Sequence, residues 1–253
     1  MSRLRIATVV VLTALLGSGH AVRAADNAAP AGALSASDVE KIVHDYLLRE
    51  PEVIYQAIQE LQKRQQTAET ARQQAMIAQH GDAIFRSADD PVAGNVDGNV
   101  TLVEFFDYHC GYCRSMTSGL QTLIGSDRQL RFVFKDIPIL GPDSVTAAKA
   151  AIAASKLDPA KYYDLHLALM QSKDLSRDTV LNAAAAQGYD RDKLAAEMEQ
   201  PWVKARIDAN LALAEQLGIN GTPSFVIGNT LIPGAVDVNR LAQLVSDERK
   251  SVN

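Results

Sequence analysis

Only two cysteines occur in the 253 residues, and they stand three apart as Cys110-Gly111-Tyr112-Cys113. Thiols at that spacing can cycle between dithiol and disulfide, or hold a soft metal ion. Val100–Phe106 (VTLVEFF) reads as a buried strand, and the cysteines follow it and open a helix over about 114–123. A sulfur at a helix N-terminus meets unpaired N–H groups and the positive end of the macrodipole, and both favour thiolate over thiol. Cys113, one turn on, can donate its S–H to that thiolate, and His109 offers a positive neighbour. Lowering a thiol pKa from about 8.5 to about 5 favours the anion by roughly 4–5 kcal/mol. Cys110 is therefore expected as the exposed nucleophile that attacks a disulfide, and Cys113 as the buried thiol that resolves the mixed disulfide. Tyr112 should be exposed between them and touch substrate.

Other uses of two cysteines fit less well. A structural disulfide across a two-residue gap removes little chain entropy. Zinc needs two further ligands, and there is no second cysteine pair, while His44, His80 and His166 are distant in sequence. Copper(I) held by two thiolates is chemically reasonable; otherwise the reactive disulfide itself is the only redox group expected, with no cofactor. Gly221-Thr222-Pro223-Ser224-Phe225 raises the case for exchange chemistry. Pro223, after Thr222 and before a strand, is a place where a cis peptide is favoured. Such a loop can offer the Thr222 backbone to a bound peptide as an added strand, or be a simple strand-opening proline.

These residues need a scaffold. Around them lie strands at 83–85, Val100–Phe106, 130–134, Ser224–Ile227 and 230–232, the last two joined by Gly228-Asn229 as a hairpin. Helical patterns at 144–155, 159–171, 177–187, 190–199, 201–218 and 237–250 make the class α/β, with a mixed sheet and a helical insertion at about 143–200. Phe105 and Phe106 should reach core on opposite faces of their strand. Trp202 and His166 read as packing residues.

Upstream, Ser37-Asp38-Val39-Glu40 reads as a capping box. Val39, Ile42, Val43, Tyr46 and Leu47 recur at helical spacing, Pro51 interrupts, and Ile54, Ile58 and Leu61 continue on a second helix. Residues 62–74 lack any large apolar side chain, as a solvated connecting helix would. The apolar stripe of 37–61 is too small to bury itself. It is expected to pack against copies of itself, with packing on its own catalytic domain as the alternative. Residues 62–80 would then be the linker and 81–253 the catalytic domain.

The first 24 residues carry Arg3, Arg5 and Arg23 and no acid, an apolar run at 6–16, and the small-residue site Ala21-Val22-Arg23-Ala24. This is the pattern of a cleaved signal peptide, followed by a flexible tether at 25–36. Export implies an oxidising compartment, here the periplasm. The chain carries a net charge of −5, made more negative by removal of the leader. That excludes nucleic acid as a natural partner.

The segment Val103-Glu104-Phe105-Phe106-Asp107-Tyr108-His109-Cys110-Gly111-Tyr112-Cys113 resembles the DsbA-type thioredoxin superfamily. So do Phe132-Val133-Phe134-Lys135-Asp136-Ile137-Pro138 and the Thr222-Pro223 loop. The resemblance implies a thioredoxin fold with a helical insertion, preceded by an N-terminal helical stalk, and a cis Thr222–Pro223 bond beside the active site. It places Glu104 and Lys135 where the family often has a buried acid and base near the resolving cysteine. They would be either a proton shuttle or a structural ion pair. His109 and Gly111-Tyr112 would tune the thiolate, and Gly-Tyr replaces the Pro-His of the best-known oxidase. The stalk and Gly-Tyr dipeptide are similar to the ScsC (suppressor of copper sensitivity C) branch, some members of which trimerise. The expectation is a periplasmic disulfide isomerase or reductase, a homotrimer through 37–61, acting on misfolded or disulfide-bonded exported proteins. A membrane thiol reductase would keep it reduced. The alternatives are a monomeric dithiol oxidase and a copper(I)-binding protein of copper tolerance.

Overall fold

The computed structural model describes residues 34–251. The expected signal peptide and residues 25–33 of the tether lie outside them. The chain divides into two compact units, residues 1–60 and 61–253. Among the described residues no helix is long and apolar enough to cross a membrane.

The first unit holds α1 (Ala36–Arg49) and the opening turns of α2 (Glu52–Gln79). The capping box sits two residues earlier than expected. The Ser35 hydroxyl accepts from the Asp38 N–H at 3.2 Å, and the Ser35 N–H donates to the Asp38 carboxylate at 3.1 Å. Ser35-x-x-Asp38 and Ser37-x-x-Glu40 have the same pattern, and the earlier one wins because it lengthens the helix. Glu50-Pro51 breaks the run, since proline disfavours helix at the residue before it. Helix α1 buries none of its residues; Val39, Ile42, Val43 and Tyr46 stand exposed, as do Ile54 and Ile58 of α2.

The second unit is built on a five-stranded sheet of order β1-β3-β2-β4-β5. Its strands are β1 (Val92–Gly94), β2 (Val100–Phe106), β3 (Leu130–Asp136), β4 (Ser224–Ile227) and β5 (Thr230–Pro233). β2 and β3 are parallel, with Glu104 opposite Phe134 and Phe105 opposite Lys135, and the other pairs are antiparallel. β2 reads as a continuous apolar run because both faces are covered. Leu102, Phe106, Phe132 and Phe134 face a core completed by α3 (Gly111–Ser126), the helical insertion and α9 (Val238–Ser251). Val103, Phe105 and Val133 face a second, smaller core with Ile77, Ile84, Leu213 and Leu217. Phe105 and Phe106 are thus on opposite faces, as their adjacency requires.

Between β3 and β4 run α4 (Pro142–Leu157), a 3-10 turn at Pro159–Lys161, α5 (Tyr162–Gln171), α6 (Arg177–Ala186), α7 (Arg191–Glu197) and α8 (Pro201–Gln216). Three expectations are corrected. Residues 83–85 form part of a single π turn, Asp82–Arg86, instead of a strand, closed by the Arg86–Asp82 pair at 2.5 Å. A run of three apolar residues is too short for periodicity to separate the two. The edge strand β1 lies between turn signals that masked it. Trp202 is half-buried instead of core: its indole N–H donates to Glu197 at 2.8 Å, and the Lys156 ammonium sits 4.3 Å from its ring centre.

Candidate active site

The site forms where β2 hands over to α3. Cys110 is the N-cap residue of α3, in extended backbone, and its sulfur accepts from the Cys113 N–H at 3.5 Å. Both cysteines are free and both are buried; Cys110, expected to be exposed, is only 5% exposed, because its sulfur packs against the Thr222 carbonyl and the first turn of α3. In the thiol form Cys110 Sγ–H donates to the Thr222 carbonyl at 3.3 Å. Thr222–Pro223 is a cis peptide. Its loop is pinned by the Gly234 N–H donating to the Pro223 carbonyl at 2.9 Å and by the Ser224 hydroxyl donating to the Gly221 carbonyl at 2.9 Å. The sheet thus brings together two loops 112 residues apart in sequence.

The electrostatics of the two sulfurs diverge. The Cys113 thiol donates to the Cys110 sulfur, and the Thr222 side chain and the backbone N–H groups of Cys113 and Tyr112 add to it. Together they outweigh burial and hold the Cys110 thiol down at about 5. The same thiol–thiolate contact, followed by burial and the Glu104 carboxyl, drives the Cys113 thiol far upward. One sulfur is therefore ionised at neutral pH while its neighbour keeps its proton, the division that exchange chemistry needs.

Glu104, Cys113, Thr117, Phe134 and His166 line one small internal cavity behind the redox pair. Burial, followed by the charge on Cys110, pushes the Glu104 carboxyl up to about 8. One of its oxygens has no hydrogen-bond partner among the described residues. His166 is packed among Phe106, Phe134 and Tyr163, accepts or donates at Nδ1 to the Tyr108 hydroxyl at 3.1 Å, and is held at about 3 by burial.

Lys135 does not join this group. It lies on the other face of the sheet from Glu104, because neighbouring β2 and β3 positions in register alternate sides. There its ammonium donates to the Asp90 carboxylate and, at 2.5 Å, to the Ala83 carbonyl, while Arg206 shares Asp90. Burial, followed by the Arg131 charge, lowers the Lys135 ammonium to about 7. Glu104 and Lys135 thus form neither of the two expected arrangements, the proton shuttle or the ion pair with each other, and Lys135 pairs with Asp90 instead. His109, Gly111 and Tyr112 are all exposed at the mouth of the site.

One residue escaped the sequence reading. Asp107 is buried, and its carboxylate accepts from the N–H groups of His109 (2.7 Å), Ile139 (2.8 Å) and Leu140 (2.9 Å). The Asp107-x-His109 spacing is a local turn signal, but the bonds to residues 32 and 33 positions later leave no trace in sequence.

Comparison with known proteins agrees with this geometry. The DSBA-like thioredoxin domain matches residues 101–246, and the copper resistance protein ScsC N-terminal domain matches residues 37–68. A thioredoxin-like oxidoreductase from Silicibacter pomeroyi DSS-3 is 43% identical; the match covers 67% of this chain and 97% of that one, with a TM-score of 0.64. Proteus mirabilis ScsC in a transitional conformation is 32% identical over 86% of this chain and 100% of that one, with a TM-score of 0.65. Among curated proteins, the Na(+)/H(+) antiporter NhaA of Herminiimonas arsenicoxydans is 28% identical over 166 residues, 64% of this chain and 26% of the antiporter. The chain thus spans about a quarter of the length of the antiporters it matches.

Proposed function

The chain belongs to the DSBA-like thioredoxin family, and from that premise we propose that it is an exported thiol–disulfide oxidoreductase acting as a disulfide isomerase or reductase. The observation that carries this reading is the Cys110 sulfur, which caps α3 and faces the Thr222 carbonyl of the cis-proline loop at 3.3 Å. The Cys110 thiolate attacks one sulfur of a client disulfide, forming a mixed disulfide and releasing the other client sulfur as thiolate. In isomerisation a different client thiolate displaces Cys110, and the enzyme leaves unchanged. In reduction the mixed disulfide has removed the Cys110 charge that helps raise Glu104, the ionised fraction of that carboxyl takes the Cys113 proton, and the Cys113 thiolate attacks the Cys110 sulfur. The client then gains two electrons, and the Cys110–Cys113 disulfide forms. Thr222 offers its backbone to the client as an added strand. A membrane thiol reductase returns the pair to the dithiol.

The apolar faces of α1 and the start of α2 support self-association, with a trimer through 37–61 as the arrangement proposed. Several tethered thiols around one space raise the effective thiol concentration at a client. Misfolded or disulfide-bonded exported proteins are the client class, and the periplasm is the proposed compartment. The test is refolding of scrambled ribonuclease. The wild-type chain should restore activity, Cys110→Ser should restore none, and Cys113→Ala should accumulate mixed disulfides. Faster oxidation of reduced ribonuclease than repair of the scrambled form would favour the oxidase reading instead.

A further inference from the structure

Beyond the two sulfurs and the cis-proline loop, the structure assigns Asp107 as a positioning residue that locks an apolar client-contact loop to the redox centre; this rests on the exchange reading above. The loop runs over residues 137–141, between β3 and α4. Its start is fixed by the Ile137 N–H donating to the Phe106 carbonyl at 2.9 Å. Its end is Gly141, at φ +120°, where a side chain would be strained. In between, Asp107 takes the N–H groups of Ile139 and Leu140 on one carboxylate oxygen and that of His109 on the other.

The main chain of Asp107 is tied into the redox centre at the same time. Its carbonyl accepts from the Cys110 N–H at 3.0 Å. One buried residue therefore holds the nucleophilic cysteine through its backbone and the loop through its carboxylate. A carboxylate has acceptor capacity for all three N–H groups, and no neutral side chain of that size does. Loss of one acceptor would leave a part-buried N–H without its partner at a buried side chain, which is unfavourable.

What the loop presents is apolar. Ile139 is 46% exposed and Leu140 47%, and Tyr112, between the cysteines, is 69% exposed. Exposed aliphatic side chains whose backbone is held by two hydrogen bonds to one buried carboxylate are presented, not merely left over. Their occupant is the client chain flanking the attacked disulfide, since Asp107 bonds at once to the loop's N–H groups and to the Cys110 N–H. A client that unfolds its core exposes the apolar segments that such a surface takes.

The test uses the full chain and two disulfides, a peptide with apolar residues flanking its disulfide and a small hydroxyethyl disulfide. The variants are Asp107→Asn, the surface change Ile139→Ser with Leu140→Ser, and all three together. The ratio of kcat/KM for the peptide to that for the small disulfide should fall about fivefold in each single background, through KM more than kcat. The combined variant should fall no further, because one loop is affected in both. Equal losses on both disulfides, or multiplicative losses in the combined variant, would overturn the positioning role alone. Should Asp107→Asn fail to fold, the surface variant decides by its own ratio. A wild-type chain inert toward both disulfides would overturn the exchange reading and this inference with it.

Discussion

Glu104 sets the chemistry of the second proton. Its folded carboxyl titrates near 8 against 4.5 for an ordinary glutamate, so the folded chain holds a proton that the unfolded chain has released. Between pH 4.5 and 8 this lowers stability as pH rises, by about 3 kcal/mol at pH 7. Cys110 works in the opposite direction. Its thiol is depressed to about 5 from 9.0, so it adds stability to the reduced chain that is complete above pH 9 and lost as pH falls through 5. Glu104→Gln should therefore stabilise the reduced protein by a few kcal/mol at pH 7–8 and by little at pH 4, where both side chains are neutral. Urea denaturation at the two pH values measures this. An equal gain at both would show that the glutamate is not protonated by its burial. The same variant should slow release of mixed disulfides, because Cys113 loses its proton acceptor. Cys110, Cys113, Thr222 and Pro223 were legible because local patterns, helix start and strand approach, dictate what such residues do. Asp107, and the pairing of Lys135 with Asp90 instead of Glu104, were not, because they are fixed by contacts 32 to 45 residues apart.

The elements around the site are held by close approaches. Gly119, in the middle of α3, is the example. A Cβ there would stand 2.6 Å from the Val238 Cγ2 methyl at the start of α9. Valine is stiff at χ1, so it cannot swing aside cheaply. Gly119→Ala should destabilise the protein by about 1–3 kcal/mol by forcing α3 and α9 apart. A lower urea midpoint with an unchanged Cys110 alkylation profile would place the damage in packing. An unchanged or higher midpoint would mean that helix propensity outweighs the clash. The helices of this layer could be read from capping residues, prolines at first turns and Gly218 after α8. The π turn at Asp82–Arg86 and the three-residue β1 could not, since neither is long enough for its period to repeat.

At the scale of the whole molecule the question is how many exchange sites act together. The exposed stripe of Val39, Ile42, Val43, Tyr46, Ile54 and Ile58 is the surface on which that number depends. Val43→Asp with Ile58→Asp should reduce the solution mass to a single chain and remove ribonuclease repair, while simple insulin reduction per chain persists. Sedimentation equilibrium checks the first point, and a wild-type mass already equal to one chain would end the oligomeric reading. Helix α2 carries a further consequence. From residue 61 to residue 72 every side chain is exposed, and Ile77 is the only buried residue of its 28. A helix without tertiary support opens more readily than one that packs, so Lys63 and Arg72 are where trypsin would cut first. A single nick there would leave every cysteine on one fragment and the α1 stripe on the other, so proteolysis could turn a multi-site repair enzyme into a one-site reductant without touching its chemistry.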